Sequence, residues 1–187
     1  MKKAMKITPD NATALIVDLQ EKLVPVVSES ERLLERSRFL LDGLAVFDVP
    51  VVSTRQYPKG LGETLPEIAD AMKNATVFDK TTFSCLATDE IRAAFAADSR
   101  PNVVLAGIEA HICVLQTALD LLELGKNVYW VADCVSSRNP FDAQIAFERA
   151  VRAGVIPTTA ESLLFELTGI AGTPQFKQIS KLTTGRR

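Results

Sequence analysis

Continuous apolar, β-branched runs alternate along this chain with stretches of helical period. Runs at about Thr13–Asp18, Val51–Thr54, Thr76–Asp79, Asn102–Gly107, Val128–Asp133 and Gly154–Pro157 predict strands. A run with little polar alternation fits a strand buried on both faces. Helical patterns lie between them, at about Ser30–Phe47, Ala87–Ala97, Ala110–Gly125 and Pro140–Ala153, with a last helix from Ala160–Glu161. Strands alternating with helices predict βαβ units with right-handed crossovers. The expected fold is α/β: a Rossmann-like three-layer sandwich around a mostly parallel six-stranded sheet, one domain over residues 1–187.

Punctuation residues agree with this order. Gly125 stands where a helix C-cap belongs, ahead of the strand near Val128. Ser137-Arg138-Asn139-Pro140 reads as a loop that delivers Pro140 to a first helical turn. Tyr57-Pro58-Lys59-Gly60-Leu61-Gly62 reads as a Pro/Gly loop and not a helix. The charged stretch Ser28–Arg38 reads as the solvated face of a helix.

Composition narrows the class. The chain has 187 residues, 47% hydrophobic and 24% charged, with net charge -2 from 21 basic and 23 acidic residues. That balance carries no electrostatic footprint for nucleic acid, and Lys2-Lys3 and Arg186-Arg187 read as short solvated tails. No apolar run reaches membrane-spanning length, and Met1–Asp10 lacks the apolar core of a signal peptide. The three cysteines, Cys85, Cys113 and Cys134, form no disulfide pattern. Together these predict a soluble cytoplasmic protein.

In an open parallel sheet, reactive residues gather beyond the carboxyl ends of the strands. That rule selects Asp18, Thr54, Lys80, Asp133 and the turn Gly107–Ile112 leading to Cys113. A cysteine at a strand-to-helix elbow is placed for nucleophilic chemistry. Unpaired N–H groups and the helix dipole are expected to favour its thiolate, and the same N–H groups to hold an oxyanion. Cys113, Asp18 and Lys80 supply a nucleophile, a proton acceptor and a cation, an activated nucleophile without histidine.

Three segments carry a family resemblance: Ala14-Leu15-Ile16-Val17-Asp18-Leu19-Gln20, Phe78-Asp79-Lys80-Thr81-Thr82-Phe83-Ser84 and Gly107-Ile108-Glu109-Ala110-His111-Ile112-Cys113-Val114. In order, spacing and setting the chain resembles the isochorismatase-like cysteine hydrolases. The stretches Thr54–Gly62 and Gly107–Asp120 look most like the isochorismatase domain-containing protein branch. The resemblance implies Cys113 as nucleophile, Asp18 as base and Lys80 as cationic partner. It implies a cis peptide between Ile108 and Glu109 and an oxyanion hole from the Glu109 and Cys113 N–H groups. It also implies a homo-oligomer, for which Trp130 is a candidate subunit contact.

Nicotinamidase members of that family hold a metal with an Asp-x-His pair after the second strand. This chain has Thr54-Arg55-Gln56-Tyr57-Pro58 there, and its one histidine, His111, lies in the elbow. No metal and no cofactor are expected, and nicotinamide loses its anchor as a substrate. The expected reaction is cleavage of a C–N bond in a small amide or related molecule through a thioester acyl-enzyme. Substrate-binding candidates are Gln20, Gln56, Phe83 and His111; Gln20 serves a ligand or a loop, Phe83 a pocket wall or the core. Cys85 and Cys134 are expected to be structural, with no resolving cysteine near Cys113. Two rival readings remain: a catalytically silent oligomeric scaffold, and a phosphatase of the haloacid dehalogenase type using Asp18, Thr54, Lys80 and Asp133. The second lacks an acid two residues after Asp18, where Gln20 stands.

Overall fold

β1 (Ala12–Val17) is buried at every position, as an apolar run between two helical layers must be. The computed structural model describes residues 6–72 and 74–185, so Lys2-Lys3 and Arg186-Arg187 lie outside the described residues. With β2 (Val51–Gln56), β3 (Thr76–Lys80), β4 (Asn102–Ile108), β5 (Asn127–Ser136) and β6 (Ile156–Thr158), β1 forms a six-stranded sheet. The order is β3-β2-β1-β4-β5-β6, and every pairing is parallel. The α/β expectation holds, with the sheet wholly parallel.

The helices are α1 (Ser30–Ala45), α2 (Pro58–Leu61), α3 (Pro66–Ala71), α4 (Asp89–Ala97), α5 (Leu115–Glu123), α6 (Pro140–Ala153), α7 (Ala160–Thr168) and α8 (Pro174–Thr184). Successive strand side chains point to opposite faces, and this sorts the core into two clusters. Ala14, Ile16, Val104 and Ala106 pack with Leu33, Leu40 and Leu44 of α1 and Leu163, Leu164 and Leu167 of α7. Leu15, Val17, Leu105 and Trp130 pack with Ile91 and Phe95 of α4, Leu121 of α5 and Ala146 and Ala150 of α6. Trp130 is therefore core, edge-on to Phe147 with ring centroids 6.2 Å apart, and not a subunit contact. No described helix is long and apolar enough to cross a membrane.

Several local expectations need correction. Gln56, Lys80 and Ser136 belong to strands that run past their expected ends. Gly154 is the left-handed cap of α6, so β6 starts only at Ile156. Pro58–Leu61 closes one helical turn, because Pro58 pre-sets the first helical position. The expected continuous helix Ala110–Gly125 is divided: Ala110–Val114 is a π-helical turn and α5 begins at Leu115. The bonds Val114 N–H to Glu109 O and Leu115 N–H to Ala110 O each span five residues. One surplus residue leaves the apolar period almost unchanged, so the sequence hides it. The described peptide bonds are all trans, so the expected cis bond before Glu109 is absent. Glu109 turns the chain with φ 31 instead.

β1 lies between β2 and β4, so the chain reverses its direction of winding there. Ligand crevices of open sheets form at that switch point. Val17 pairs with Thr54 on one side and Gly107 on the other. Gly107 has φ 131, and a Cβ on it would stand 2.2 Å from the Val17 carbonyl oxygen. Only glycine lets β4 close on β1 here. Gly107→Ala is expected to cost roughly 3 kcal/mol of stability in denaturant unfolding. An unchanged midpoint would show that the two strand ends separate at no cost.

Candidate active site

Asp18 follows the last residue of β1 in a left-handed conformation, φ 57, which aspartate tolerates better than most residues. Its N–H donates to the Thr54 carbonyl at 3.2 Å, and its own carbonyl accepts the Gln20 N–H at 2.8 Å. The side chain is fully buried and divided between two strands. Thr54 Oγ1 donates to Oδ1 at 2.8 Å, and Lys80 Nζ donates to Oδ2 at 2.7 Å. The register pairing of Gln56 with Lys80 brings the lysine in from β3.

Lys80 has no exposed side-chain surface. Its ammonium donates to Asp18, to Gln56 Oε1 at 2.6 Å and to the Thr82 carbonyl at 3.2 Å. Burial, the largest single influence, works to lower its pKa, but the Asp18 charge, the Cys85 and Cys113 sulfurs and the hydrogen bond to Asp18 together hold it above its ordinary value. Buried charges demand such saturation with partners.

Cys113 reaches the same carboxylate from the π-helical turn. Its thiol is buried and lies close enough to Asp18 for the carboxylate to act on it. Burial pushes the thiol up to about 12; the Asp18 charge acts in the same direction and Lys80 opposes it. This corrects the expectation of a thiolate. The helix terminus that was to stabilise it lies further on, at Leu115, while desolvation and a facing carboxylate act at the sulfur itself. The resting arrangement is a neutral thiol facing a base.

The sequence places Asp18, Lys80 and Cys113 at strand ends, and the structure brings them together. The other candidates take different places. Gln20 is fully buried, with Nε2 on the Gln56 and Gly62 carbonyls at 3.0 and 2.7 Å and Oε1 on the Gln56 N–H at 2.7 Å. It therefore organises a loop and has no atom left for a ligand, a correction of its substrate-binding assignment. Gln56 holds Lys80 with its oxygen and the Thr81 carbonyl with its nitrogen. Its amide orients the ammonium in place of a substrate. Phe83 is exposed, so it is not core. His111 Nδ1 lies 3.0 Å from Ser137 Oγ and 3.4 Å from Glu109 Oε2, at the side of the elbow.

Three further residues lie near the triad; strand-end reasoning selects Thr54 but places neither Cys85 nor Arg138 there. Thr54 is Asp18's second partner. Cys85 Sγ lies 3.7 Å from Thr54 Oγ1, and burial pushes that thiol up to about 11, so a second cysteine borders the triad. Arg138 Nε donates to Glu109 Oε1 at 2.6 Å. Asp133, needed beside Asp18 in the phosphatase reading, instead pairs with Arg36 at 2.8 Å and caps the Ala160 N–H at 2.8 Å. That reading is set aside. Among the described residues, no group of three His, Cys, Asp or Glu converges to hold a metal. A cavity of about 520 Å³, lined by Tyr57, Pro58, Lys59, Thr81, Thr82 and Thr88, opens beside Lys80.

Comparison with known proteins follows the same geometry. The Isochorismatase domain model matches residues 12–162, which span β1 through the first turn of α7. Isochorismatase domain-containing protein 1 of Salmo salar is 38% identical over 94% of this chain, which spans 62% of that protein's length. The structure described as MAR1 ribonuclease from Caenorhabditis elegans is 40% identical, with TM-score 0.91 over 96% of this chain and 93% of that one. The YcaC gene product of Escherichia coli, described as an octameric hydrolase of unknown specificity, is 21% identical and shares the fold, with TM-score 0.90 over 97% of this chain and 92% of that one. With a family model covering most of its length and relatives near 40% identity, the chain belongs to the isochorismatase family.

Proposed function

We propose that this protein is a metal-independent cysteine hydrolase acting on a C–N bond of a small amide or related molecule. The observation that carries the reading is the buried Cys113 thiol within electrostatic reach of an Asp18 carboxylate that Lys80 and Thr54 hold in place. A neutral thiol against a fixed base loses its proton as it attacks, so no free thiolate need accumulate. In the proposed sequence, Sγ bonds to the substrate carbonyl carbon and Asp18 takes the thiol proton. The carbonyl oxygen becomes an oxyanion held by the Cys113 N–H; with the Ile108–Glu109 bond trans, the cis geometry that was to bring the Glu109 N–H to the same point is absent. Collapse breaks the C–N bond, and Asp18 returns the proton to the leaving nitrogen. Water, deprotonated by Asp18, then attacks the thioester; the C–S bond breaks, the acid leaves, and Asp18 returns the proton to the Cys113 sulfur. Lys80 stays protonated throughout and keeps Asp18 aimed. His111 and Phe83 stay as candidates for the substrate rim, and the cavity beside Lys80 as a route for a small molecule.

The test is a panel of small amides offered to the protein, quenched in acid and analysed by mass spectrometry. An acyl adduct on Cys113, absent from Cys113→Ala, is expected. A substrate that turns over while single-turnover quenching never traps that adduct would reject the acyl-enzyme. A panel in which nothing turns over favours the silent scaffold.

The name of the Caenorhabditis elegans relative favours a second reading, hydrolysis of RNA. The net charge of -2 argues against it. Loss of RNA cleavage in Cys113→Ala, with no small amide turned over, would replace the first reading with the second. Self-association into a homo-oligomer, and residence in the cytoplasm, belong to the proposal as well.

A further inference from the structure

The elbow that carries Cys113 is held from outside the triad. Glu109 adopts φ 31, a left-handed conformation that costs a non-glycine residue of order 1–3 kcal/mol and persists only where neighbours fix it. Its carbonyl accepts from the Ile112 N–H at 3.0 Å and the Val114 N–H at 3.2 Å, so Glu109 starts the turn containing Cys113. Its side chain is nearly buried, and one oxygen, Oε2, has no hydrogen-bond partner but lies 3.4 Å from His111 Nδ1. The other, Oε1, receives Arg138 Nε at 2.6 Å.

The Arg138 side chain is 59% exposed, but the backbone on either side of it is anchored. Arg138 follows Ser137, which is fully buried and whose carbonyl accepts the Ser28 N–H at 2.9 Å. It precedes Asn139, whose side chain caps α6 through the Phe141 N–H at 3.0 Å. The loop from β5 to α6 is thus fixed at both sides of the arginine. His111 Nδ1 adds a contact from the elbow to the Ser137 hydroxyl of the same loop, at 3.0 Å.

We propose that Arg138 is a positioning residue for the nucleophile. Through Glu109 it holds the left-handed start of the π-helical turn, and so sets the Cys113 sulfur against Asp18. The inference rests on the cysteine-hydrolase reading. It assigns Arg138 no contact with substrate, which separates it from an anion-binding arginine. Misplacing a nucleophile by a fraction of an ångström lowers reaction rate more than substrate binding.

The probe is p-nitrophenyl acetate, which reports acylation by the release of p-nitrophenolate whatever the natural substrate. Arg138→Gln is expected to lower the acylation rate roughly 10- to 100-fold with KM within about twofold of the parent. Arg138→Lys, which keeps the charge, is expected to recover part of the loss. Amide hydrogen exchange should quicken at residues 109–114 and stay unchanged in β1 and β4. An unchanged acylation rate in Arg138→Gln overturns the inference. So does a loss carried wholly by KM, or one matched by general unfolding in both variants. The parent reading fails by a different result: Cys113→Ala acylated as fast as the parent protein.

Discussion

Cys113→Ala is expected to lose turnover by at least about 10⁴-fold while remaining folded. Its stability should stay within about 1 kcal/mol of the parent, because only one buried heavy atom leaves the cluster around Val17 and Ala110. Cys113→Ser keeps the shape and a donor facing Asp18, and a similar loss is expected. The reason is that the site generates its nucleophile at the moment of attack. A thiol pushed up to about 12 leaves a thiolate fraction on the order of 10⁻⁵ at pH 7. Turnover therefore depends on proton transfer from a sulfur that is both acidic enough to yield to Asp18 and strongly nucleophilic once it has. A serine hydroxyl, far less acidic than a thiol, fails the first condition, and alanine removes the bond-forming atom. Steady-state turnover with unfolding curves on the same samples checks both halves. Turnover within tenfold of the parent in Cys113→Ala would reject covalent catalysis. Retained hydrolysis of a vinyl ether such as isochorismate, with no amide accepted, would point to acid catalysis in its place.

The sheet was legible because burial on both faces leaves a plain mark, the apolar runs at Ala14–Val17 and Val103–Ala106. The triad was legible because strand ends are where a parallel sheet puts chemistry, and Asp18, Lys80 and the Cys113 elbow each follow such a run. What sequence order does not carry is register. The pairing of Val17 with Thr54 makes Thr54 a partner of Asp18, and that of Gln56 with Lys80 turns a presumed substrate ligand into a lysine holder. Arg138 meets Glu109 across 29 residues and Cys85 meets Thr54 across 31, through loops with no pattern of their own. The thiolate expectation failed for a related reason. A helix start can be read from sequence, but the desolvation and facing carboxylate that outweigh it belong to the packed structure. The last helix, α8, has only Ile179 buried, so its apolar stripe is too thin to stand out.

Asp18→Asn is expected to move two properties of Cys113 in opposite directions. Turnover should fall about 10³-fold, the scale of a lost general base. Alkylation of Cys113 by iodoacetamide at neutral pH should become faster. The carboxylate raises the thiol pKa by its charge, whereas Lys80 lowers it. Removing the carboxylate leaves the ammonium as the nearest charge, so the thiol pKa falls and the thiolate fraction rises. In the parent the alkylation rate should keep climbing through the alkaline range towards pH 12; in the variant it should level off at a lower pH. A more reactive sulfur in a less active enzyme separates a base from a group that merely supports the thiolate. The variant should also lose about 3 kcal/mol of stability, because it leaves a buried ammonium without its carboxylate. Gln56 Oε1 and the Thr82 carbonyl still accept from Lys80 and keep the loss from being larger. The folded-state pKa of Lys80 is raised above its ordinary 10.5, so the pair's contribution is complete below that pH and declines as pH rises through the folded value. The stability gap between parent and variant should therefore be full at pH 7 and close in strong alkali. Alkylation and turnover falling together would refute the assignment of Asp18 as base, since it would mean that the carboxylate acts by favouring the thiolate.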